Sequence, residues 1–330
     1  MIIAVDAAGG EYAPREIIKG AVKAAQDYEV GIALVGRKDI LYVQASRYLR
    51  KLDITIIDAS QVIQAQESPI EAVTSKPDSS IVVGINLVKD GTASAFVSAG
   101  NTGAVLVSAL LNLGKIEGIQ RPAIGSIINI NITTPFLLID SGANANCRPD
   151  HLVQFAQLGS IYTREVLDVT SPRVALLNNG EEASKGNRLV QQSHDLLKRT
   201  GLNFIGNIEG QNISRGMANV VVTDGFTGNI VLKTVEGLGD TFLKLRNVGQ
   251  VFSNAAHMQS RAMLLDVGLS SLVKRIDYRE SGGACLLGVD GDVIIAHGRS
   301  QARAIKNAIG LAKQNVDRGV RQMIKEQNYE

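Results

Sequence analysis

Short runs of β-branched and aliphatic residues recur at 2–6, 30–36, 54–58, 93–98, 123–130, 136–140, 173–178, 203–205, 220–223, 284–289 and 293–296, mostly separated by longer segments of helical spacing. No other feature constrains the fold as strongly. Parallel neighbours need a long crossover connection, usually a helix, so this rhythm predicts an α/β fold on a mostly parallel sheet. Most of the runs are too apolar to alternate, which predicts strands covered on both faces and therefore three layers, α/β/α. The uncharged segment between Arg121 and Asp140 holds two runs around the turn-like NITTP at 131–135, so an antiparallel hairpin is expected there.

Helical stripes are clearest at both ends. Ile17, Ala21, Ala24 and Ala25 share a face after Pro14, a residue suited to a helix start. Ile305, Ile309, Ala312, Val316, Val320 and Met323 form another stripe that closes the chain. Near 240–280 the strand–helix rhythm stops and about 35 to 40 residues read as helix. No internal repeat, low-complexity tract or proline-rich linker divides the chain, so residues 1–330 are expected to form one α/β/α unit with a helical excursion near 240–280.

Composition removes several classes of function. A net charge of +2, from 34 Lys+Arg against 32 Asp+Glu, leaves no molecular field to attract nucleic acid. Seven Phe, seven Tyr and no Trp provide little platform for stacking bases. Cys147 and Cys285 lie far apart without metal-ligand spacing, which fits a reducing compartment better than a disulfide framework. The start, MIIAVDAAGG, does not read as a secretory leader, and the longest uncharged stretch, 91–114, is interrupted by Thr92, Ser94, Ser98 and Asn101. A cytoplasmic protein is expected.

The loops that follow the strands carry the chemistry. They are Asp6-Ala-Ala-Gly9-Gly10, Ser98-Ala-Gly100-Asn101-Thr102-Gly103, Asp140-Ser-Gly-Ala-Asn144, Asn178-Asn-Gly180, and Thr223-Asp224-Gly225-Phe-Thr227-Gly228-Asn229. Strands of one parallel sheet end on one edge, so these loops are expected to meet in a single crevice. Glycine permits positive φ and close backbone approach, and the free amides of a helix start attract oxyanions. The crevice therefore reads as a phosphate site. Any one such loop also fits ordinary strand ending and helix capping; the weight lies in five together.

Other chemistries lack their signatures. No GxxxxGK[ST], GxGxxG, GxSxG or HExxH occurs, which argues against a Walker-type nucleotide site, a dinucleotide fingerprint, a hydrolase elbow and a zinc protease. No cofactor or metal is expected. Cys147 reads as packing, and Asp140 as a cap. His297, in Ala-His-Gly-Arg, either lines the crevice or caps a helix. Asp6 and Asp224 stand at strand ends as caps, metal ligands or orienting groups. Lys185, in Gly180-Glu-Glu-Ala-Ser-Lys-Gly-Asn187, is the best-placed cation for an anion.

Taken together, these loops resemble one family, the PlsX-type phosphate acyltransferases of bacterial phospholipid synthesis. The serial SAGNTGA and TDGFTGN motifs carry the resemblance, with 4–10, 140–144, His151-Leu152, 178–187, Gly282-Gly283-Ala284 and His297-Gly298, across the whole chain. Ala8, Glu11, Thr74, Asn146 and Arg299 depart from the family pattern. The resemblance implies an isopropylmalate dehydrogenase-like fold, a homodimer, and transfer of a fatty acyl group from acyl carrier protein to orthophosphate.

The implied mechanism needs no protein nucleophile, because orthophosphate attacks the thioester itself. Lys185, Asp224 and Asn229 are the expected catalytic residues. Asp6, Gly9, Gly10, Ser98, Gly100, Asn101, Thr102, Gly103, Asn144, Asn187, Gly225, Thr227, Gly228 and His297 are the expected phosphate or substrate contacts. In the excursion, Leu265, Leu269, Leu272, Val273 and Ile276 share a helical face near Arg261, Lys274 and Arg275. On the sequence alone that face fits core or dimer packing better than a contact with acidic carrier protein or anionic lipid; the resemblance raises the contact with the inner surface of the membrane, where a membrane acyltransferase would take the product. An NAD(P)-dependent dehydrogenase on the same scaffold, or a non-catalytic carrier-protein or phosphate-binding module, are the alternatives.

Overall fold

The computed structural model describes residues 1–130, 135–253, 282–327 and 329. Its strands are β1 (Ile2–Asp6), β2 (Gly31–Gly36), β3 (Ile54–Asp58), β4 (Ala95–Ser98), β5 (Ala123–Ile128), β6 (Phe136–Ile139), β7 (Val174–Leu177), β8 (Phe204–Ile208), β9 (Val220–Val222), β10 (Ala284–Leu287) and β11 (Asp292–Ile295). The described helices are α1 (Arg15–Tyr28), α2 (Lys38–Leu49), α3 (Pro69–Ser75), α4 (Ser80–Lys89), α5 (Thr102–Asn112), α6 (Pro149–Val166), α7 (Arg188–Leu197), α8 (Gly210–Ile213), α9 (Gly225–Ser253), α10 (Ala302–Asp317) and α11 (Val320–Glu326).

Among the described residues, all eleven strands join one sheet in the order β3-β2-β1-β4-β11-β10-β5-β6-β9-β7-β8. The expected hairpin is present as the antiparallel pair β5–β6, with Gly125 opposite Ile139 and Ile128 opposite Phe136. Two further antiparallel pairings, β11–β10 and β10–β5, complete the centre. Three reversals in succession leave the block β6-β9-β7-β8, parallel within itself, running opposite to β3-β2-β1-β4-β11. This corrects the expectation of one shared edge. The loops after β1 and β4 leave in one direction, and those after β6, β7 and β9 in the other.

Period-two alternation sorts the strand residues into two faces. Ile3, Val5, Ala95, Val97, Leu137, Ile139, Val220 and Val222 enter one apolar cluster that spans the sheet beneath α1, α6 and α10. On the other face the core divides. Ala4, Phe96, Ile124, Val293 and Ile295 pack with α4 and α5, whereas Ile128, Phe136, Leu138 and Val221 pack with Val231, Leu232 and Val235 of α9. Along β5 the same face reads Ile124, Ser126, Ile128, so a buried serine stands where one cluster stops and the other starts. The division is therefore written into the strand.

Helix boundaries follow local chemistry. Pro14 precedes α1, where its missing N–H costs no hydrogen bond. Gly20 lets α1 press on α10; a Cβ there would lie 2.6 Å from Ile305 Cβ. The final stripe, expected as one helix, breaks into α10 and α11 at Gly319, whose φ of +63° ends the first of them. The expected excursion near 240–280 begins as the continuation of α9 to Ser253. Arg261, Leu265, Leu269, Leu272, Val273, Lys274, Arg275 and Ile276 lie outside the described residues. Among the described residues, no helix is long and apolar enough to cross a membrane.

Candidate active site

The gap in the split face is a cavity of about 430 Å³. Ile124, Ser126, Ala284 and Ile295 line it from the sheet, Thr102, Gly103 and Leu106 from the start of α5, and Asn229, Leu232, Lys233 and Glu236 from α9. Gly142, Ala143 and the 296–298 turn also contribute. Hence the 98–103 and 223–229 segments do share a cavity, reached across the face of the sheet and not along one edge.

Behind the α5 end of this cavity lies a buried polar knot. Asp6 Oδ1 accepts the amides of Ala8 and Gly9, each at 3.0 Å, and Oδ2 accepts the Ser98 hydroxyl at 2.6 Å. Ser98 Oγ in turn accepts the Gly100 amide at 3.0 Å. Burial pushes the Asp6 pKa up, against the lowering pull of these donors. Gly9 is required by closeness, since a Cβ there would sit 2.3 Å from Asp6 Oδ2 and 2.8 Å from the Gly100 amide. Gly10, at φ +100°, packs against Ala99 and the Gly298 carbonyl. Asp6, Gly9, Gly10, Ser98 and Gly100 thus hold the turns to one another.

Asn101 is committed as well. Its Oδ1 accepts the Ala104 amide at 3.0 Å, capping α5, while its Nδ2 donates to the carbonyls of Gln64, Ala65 and Glu67. The next two residues, Thr102 and Gly103, reach the cavity. Their amides lie in the first helical turn, where no carbonyl of the same helix can accept them.

A second knot sets the start of α9. Asp140 Oδ1 accepts the amides of Ile124, Gly142 and Ala143, and Oδ2 accepts both the backbone amide and the side-chain Nδ2 of Asn144. Burial raises the Asp140 pKa while these donors oppose it. Asn144 also donates to the Pro122 carbonyl at 2.7 Å and accepts the Gly225 amide on its own carbonyl at 2.8 Å. At Gly225 and Gly228 a Cβ would lie 2.7 Å from the Asn144 amide and 1.9 Å from the Asp140 carbonyl oxygen, so the two glycines let α9 lie directly on this loop.

Asp224 then caps α9 by accepting the Thr227 amide at 2.9 Å and its hydroxyl at 2.8 Å. Helical geometry distributes the following side chains between two cavities. Asn229, Leu232, Lys233 and Glu236 face the central one. Asp224, Thr227 and Val231 face a second, of about 470 Å³, lined also by Asn178, Asn179, Gly186, Asn187 and Val190. Asn187 caps α7 through the Val190 amide at 3.0 Å. Lys185 is exposed and lines neither of these two cavities.

Of the expected residues, then, Thr102, Gly103, Asn229 and His297 meet in the central cavity, and Asn187, Asp224 and Thr227 in the second. Cys147 is half-buried, its thiol pushed up to about 11 chiefly by burial, in keeping with packing.

Lys233 and Glu236 went unread in the sequence. Lys233 Nζ donates to Glu236 Oε2 at 2.8 Å, and His297 Nε2 lies 3.5 Å from the same oxygen. His297 Nδ1 accepts the Arg299 amide at 3.1 Å, which assigns the ring proton to Nε2, toward Glu236. Burial raises the Glu236 pKa, but the His297 and Lys233 hydrogen bonds outweigh it and leave the carboxylate below its ordinary range. Arg299, a departure from the expected pattern, pairs outward with Asp240 at 2.9 Å.

A family model described as "Fatty acid synthesis protein" matches residues 1–323. A phosphate acyltransferase of Dehalococcoides mccartyi is 59% identical over 326 residues, 99% of this chain and 94% of the relative. One from Dictyoglomus thermophilum is 46% identical over 318 residues, 96% of this chain and 94% of the relative. Among solved structures, a phosphotransacetylase of Streptococcus pyogenes superposes with a TM-score of 0.62 at 18% identity, covering 96% of this chain and 94% of that one. A branched-chain phosphotransacylase of Enterococcus faecalis gives 0.60 at 13%, covering 96% and 99%. At these identities the structural matches establish the fold.

Proposed function

We propose that this chain, which belongs to the Fatty acid synthesis protein family and is a phosphate acyltransferase, takes its fatty acyl group from acyl carrier protein and hands it to orthophosphate, which attacks the thioester directly. Family membership removes the dehydrogenase and non-catalytic alternatives. The observation that carries the finer reading is the lining of the central cavity. A polar end formed by Asn229, His297 and the first-turn amides of α5 adjoins a wall of Leu106, Ile124 and Leu232. Such a lining suits an oxyanion beside an apolar chain.

In this reading a phosphate oxygen bonds to the carbonyl carbon, the carbon–sulfur bond breaks, and the electron pair leaves on the pantetheine sulfur. The Thr102 and Gly103 amides and Asn229 hold phosphate and the charge that develops. Fixing phosphate at the carbonyl supplies the nucleophile, which is why no Ser or Cys is required. A thiol of ordinary pKa, about 8.5, leaves readily beside a cation, and Lys185 is the proposed cation; Asp224 is proposed to orient either Lys185 or the phosphate proton. Gly186 and Asn187, next to Lys185, line the second cavity, which is where we place the carrier arm. Asp6, Ser98, Asn101 and Asn144 serve the site by holding its turns.

The same proposal includes two copies of the chain acting as a homodimer, a cytoplasmic location, and contact with carrier protein or the inner membrane face through Arg261, Leu265, Leu269, Leu272, Lys274 and Arg275. Undiminished vesicle flotation of Leu269→Glu would exclude that face as the membrane contact.

The deciding experiment incubates the protein with acyl carrier protein thioester and phosphate, traps acyl phosphate with hydroxylamine, and counts released carrier thiols. Phosphate-dependent release matched by hydroxamate is expected. Turnover with coenzyme A thioesters alone would refute the assigned donor.

A further inference from the structure

The central cavity contains a carboxylate where an anion is to bind. Glu236 Oε2 is engaged by Lys233 Nζ at 2.8 Å and faces His297 Nε2 at 3.5 Å, whereas Oε1 has no partner among the described residues. The side chain is largely buried, at 13% exposure, yet Glu236 lines the cavity together with Thr102, Gly103 and Asn229. Lys233 compensates its charge, and the hydrogen bonds from Lys233 and His297 keep it ionised.

An ionised carboxylate only accepts hydrogen bonds, so it repels an oxyanion that has no proton to give. Orthophosphate retains at least one P–O–H at neutral pH; sulfate, of the same shape, retains none. A site with a fixed acceptor therefore favours the protonated oxyanion, because the unprotonated one leaves that acceptor unsatisfied and adds like-charge repulsion.

We propose that Glu236 is the residue that selects phosphate over sulfate and other fully ionised tetrahedral anions. Its Oε1 accepts the P–O–H, while Lys233, held on Oε2 beside His297, supplies the positive charge to the remaining oxygens. The proton stays on phosphate in this contact, which orients the oxygen that attacks without consuming a base. The inference rests on reading the central cavity as the phosphate site.

The test measures phosphate KM and the sulfate inhibition constant in the acyl phosphate assay for wild type, Glu236→Gln and Glu236→Asp, with phosphate and sulfate binding to the wild type by calorimetry. Wild type is expected to bind phosphate at least tenfold more tightly than sulfate. Glu236→Gln, which can turn an amide N–H toward either anion, is expected to narrow the ratio of sulfate Ki to phosphate KM at least tenfold, and Glu236→Asp to retain it. Equal affinities in the wild type, or an unchanged ratio in an active Glu236→Gln, would overturn the proposal. A wild type that makes no acyl phosphate would instead overturn the reading of the reaction. Calorimetry on the wild type can still overturn the proposal if Glu236→Gln fails to fold, and Glu236→Ala then serves as the second variant, expected to narrow the ratio likewise.

Discussion

Gly228→Ala separates the demands of helix α9 from those of the site it carries. Gly228 lies in the first turns of the helix, where alanine is favoured over glycine by about 1 kcal/mol on propensity alone. The surroundings demand the opposite. The added Cβ would fall 1.9 Å from the Asp140 carbonyl oxygen and 3.0 Å from Thr223 Cγ2. The overlap is with backbone that the Asp140 carboxylate network fixes in place, so α9 must move away by roughly an ångström. Overpacking of this kind costs about 1–3 kcal/mol, which cancels the propensity gain at its lower end and leaves a net loss of about 2 kcal/mol at its upper end, where contact with fixed backbone belongs. Chains of ~150–250 residues lose about 2–4 °C of Tm per kcal/mol, so a fall of a few degrees is expected. Asn229 moves with the helix, and a misplacement of about 1 Å can cost on the order of 100-fold in rate. Calorimetric melting and phosphate-dependent acyl transfer measure the two effects. A variant that melts at or above wild type with undiminished turnover would refute the close-contact reasoning.

Lys185→Ala is expected to lower kcat by roughly ten- to a thousandfold, the range for losing one charge-stabilising group; full activity in the folded variant would remove Lys185 from the mechanism. Asp292 provides a pH test remote from the site: burial raises its pKa to about 6, with Arg321 opposing. A folded pKa above the unfolded one means that its contribution is fully present below about pH 4 and is lost as pH rises through 6. Asp292→Asn should therefore be more stable than wild type at pH 8, by at most about 3 kcal/mol, with the advantage vanishing near pH 4. Urea midpoints that differ equally at both pH values would contradict it.

The strands were legible because each is an apolar run punctuated by Gly, Asn or Asp, and the β5–β6 hairpin because its two runs sit so close in sequence. Their directions were not. Pairings such as β10 with β5, and β11 with β4, join residues far apart in the chain, and no local pattern reports them. One antiparallel pairing more or fewer reverses every strand beyond it, which is why the five loops looked like one crevice. The site shows the same boundary. Thr102, Gly103, Asn229 and His297 lie in turns or helix starts of unusual composition. Lys233 and Glu236 look like any i,i+3 ion pair on an exposed helix face, and only the gap over Ser126 gives them a cavity to face. Lys185 stood out for the opposite reason, a polar loop that drew attention to a side chain now found on the surface.

Direct attack by phosphate, without an acylated protein on the way, is most sharply tested by intact-mass measurement after mixing enzyme with acyl carrier protein thioester in the absence of phosphate. An unmodified chain and no freed carrier thiol are predicted, with acyl phosphate and thiol appearing together once phosphate is added. Accumulation of a chain heavier by one acyl group before phosphate arrives would contradict the account.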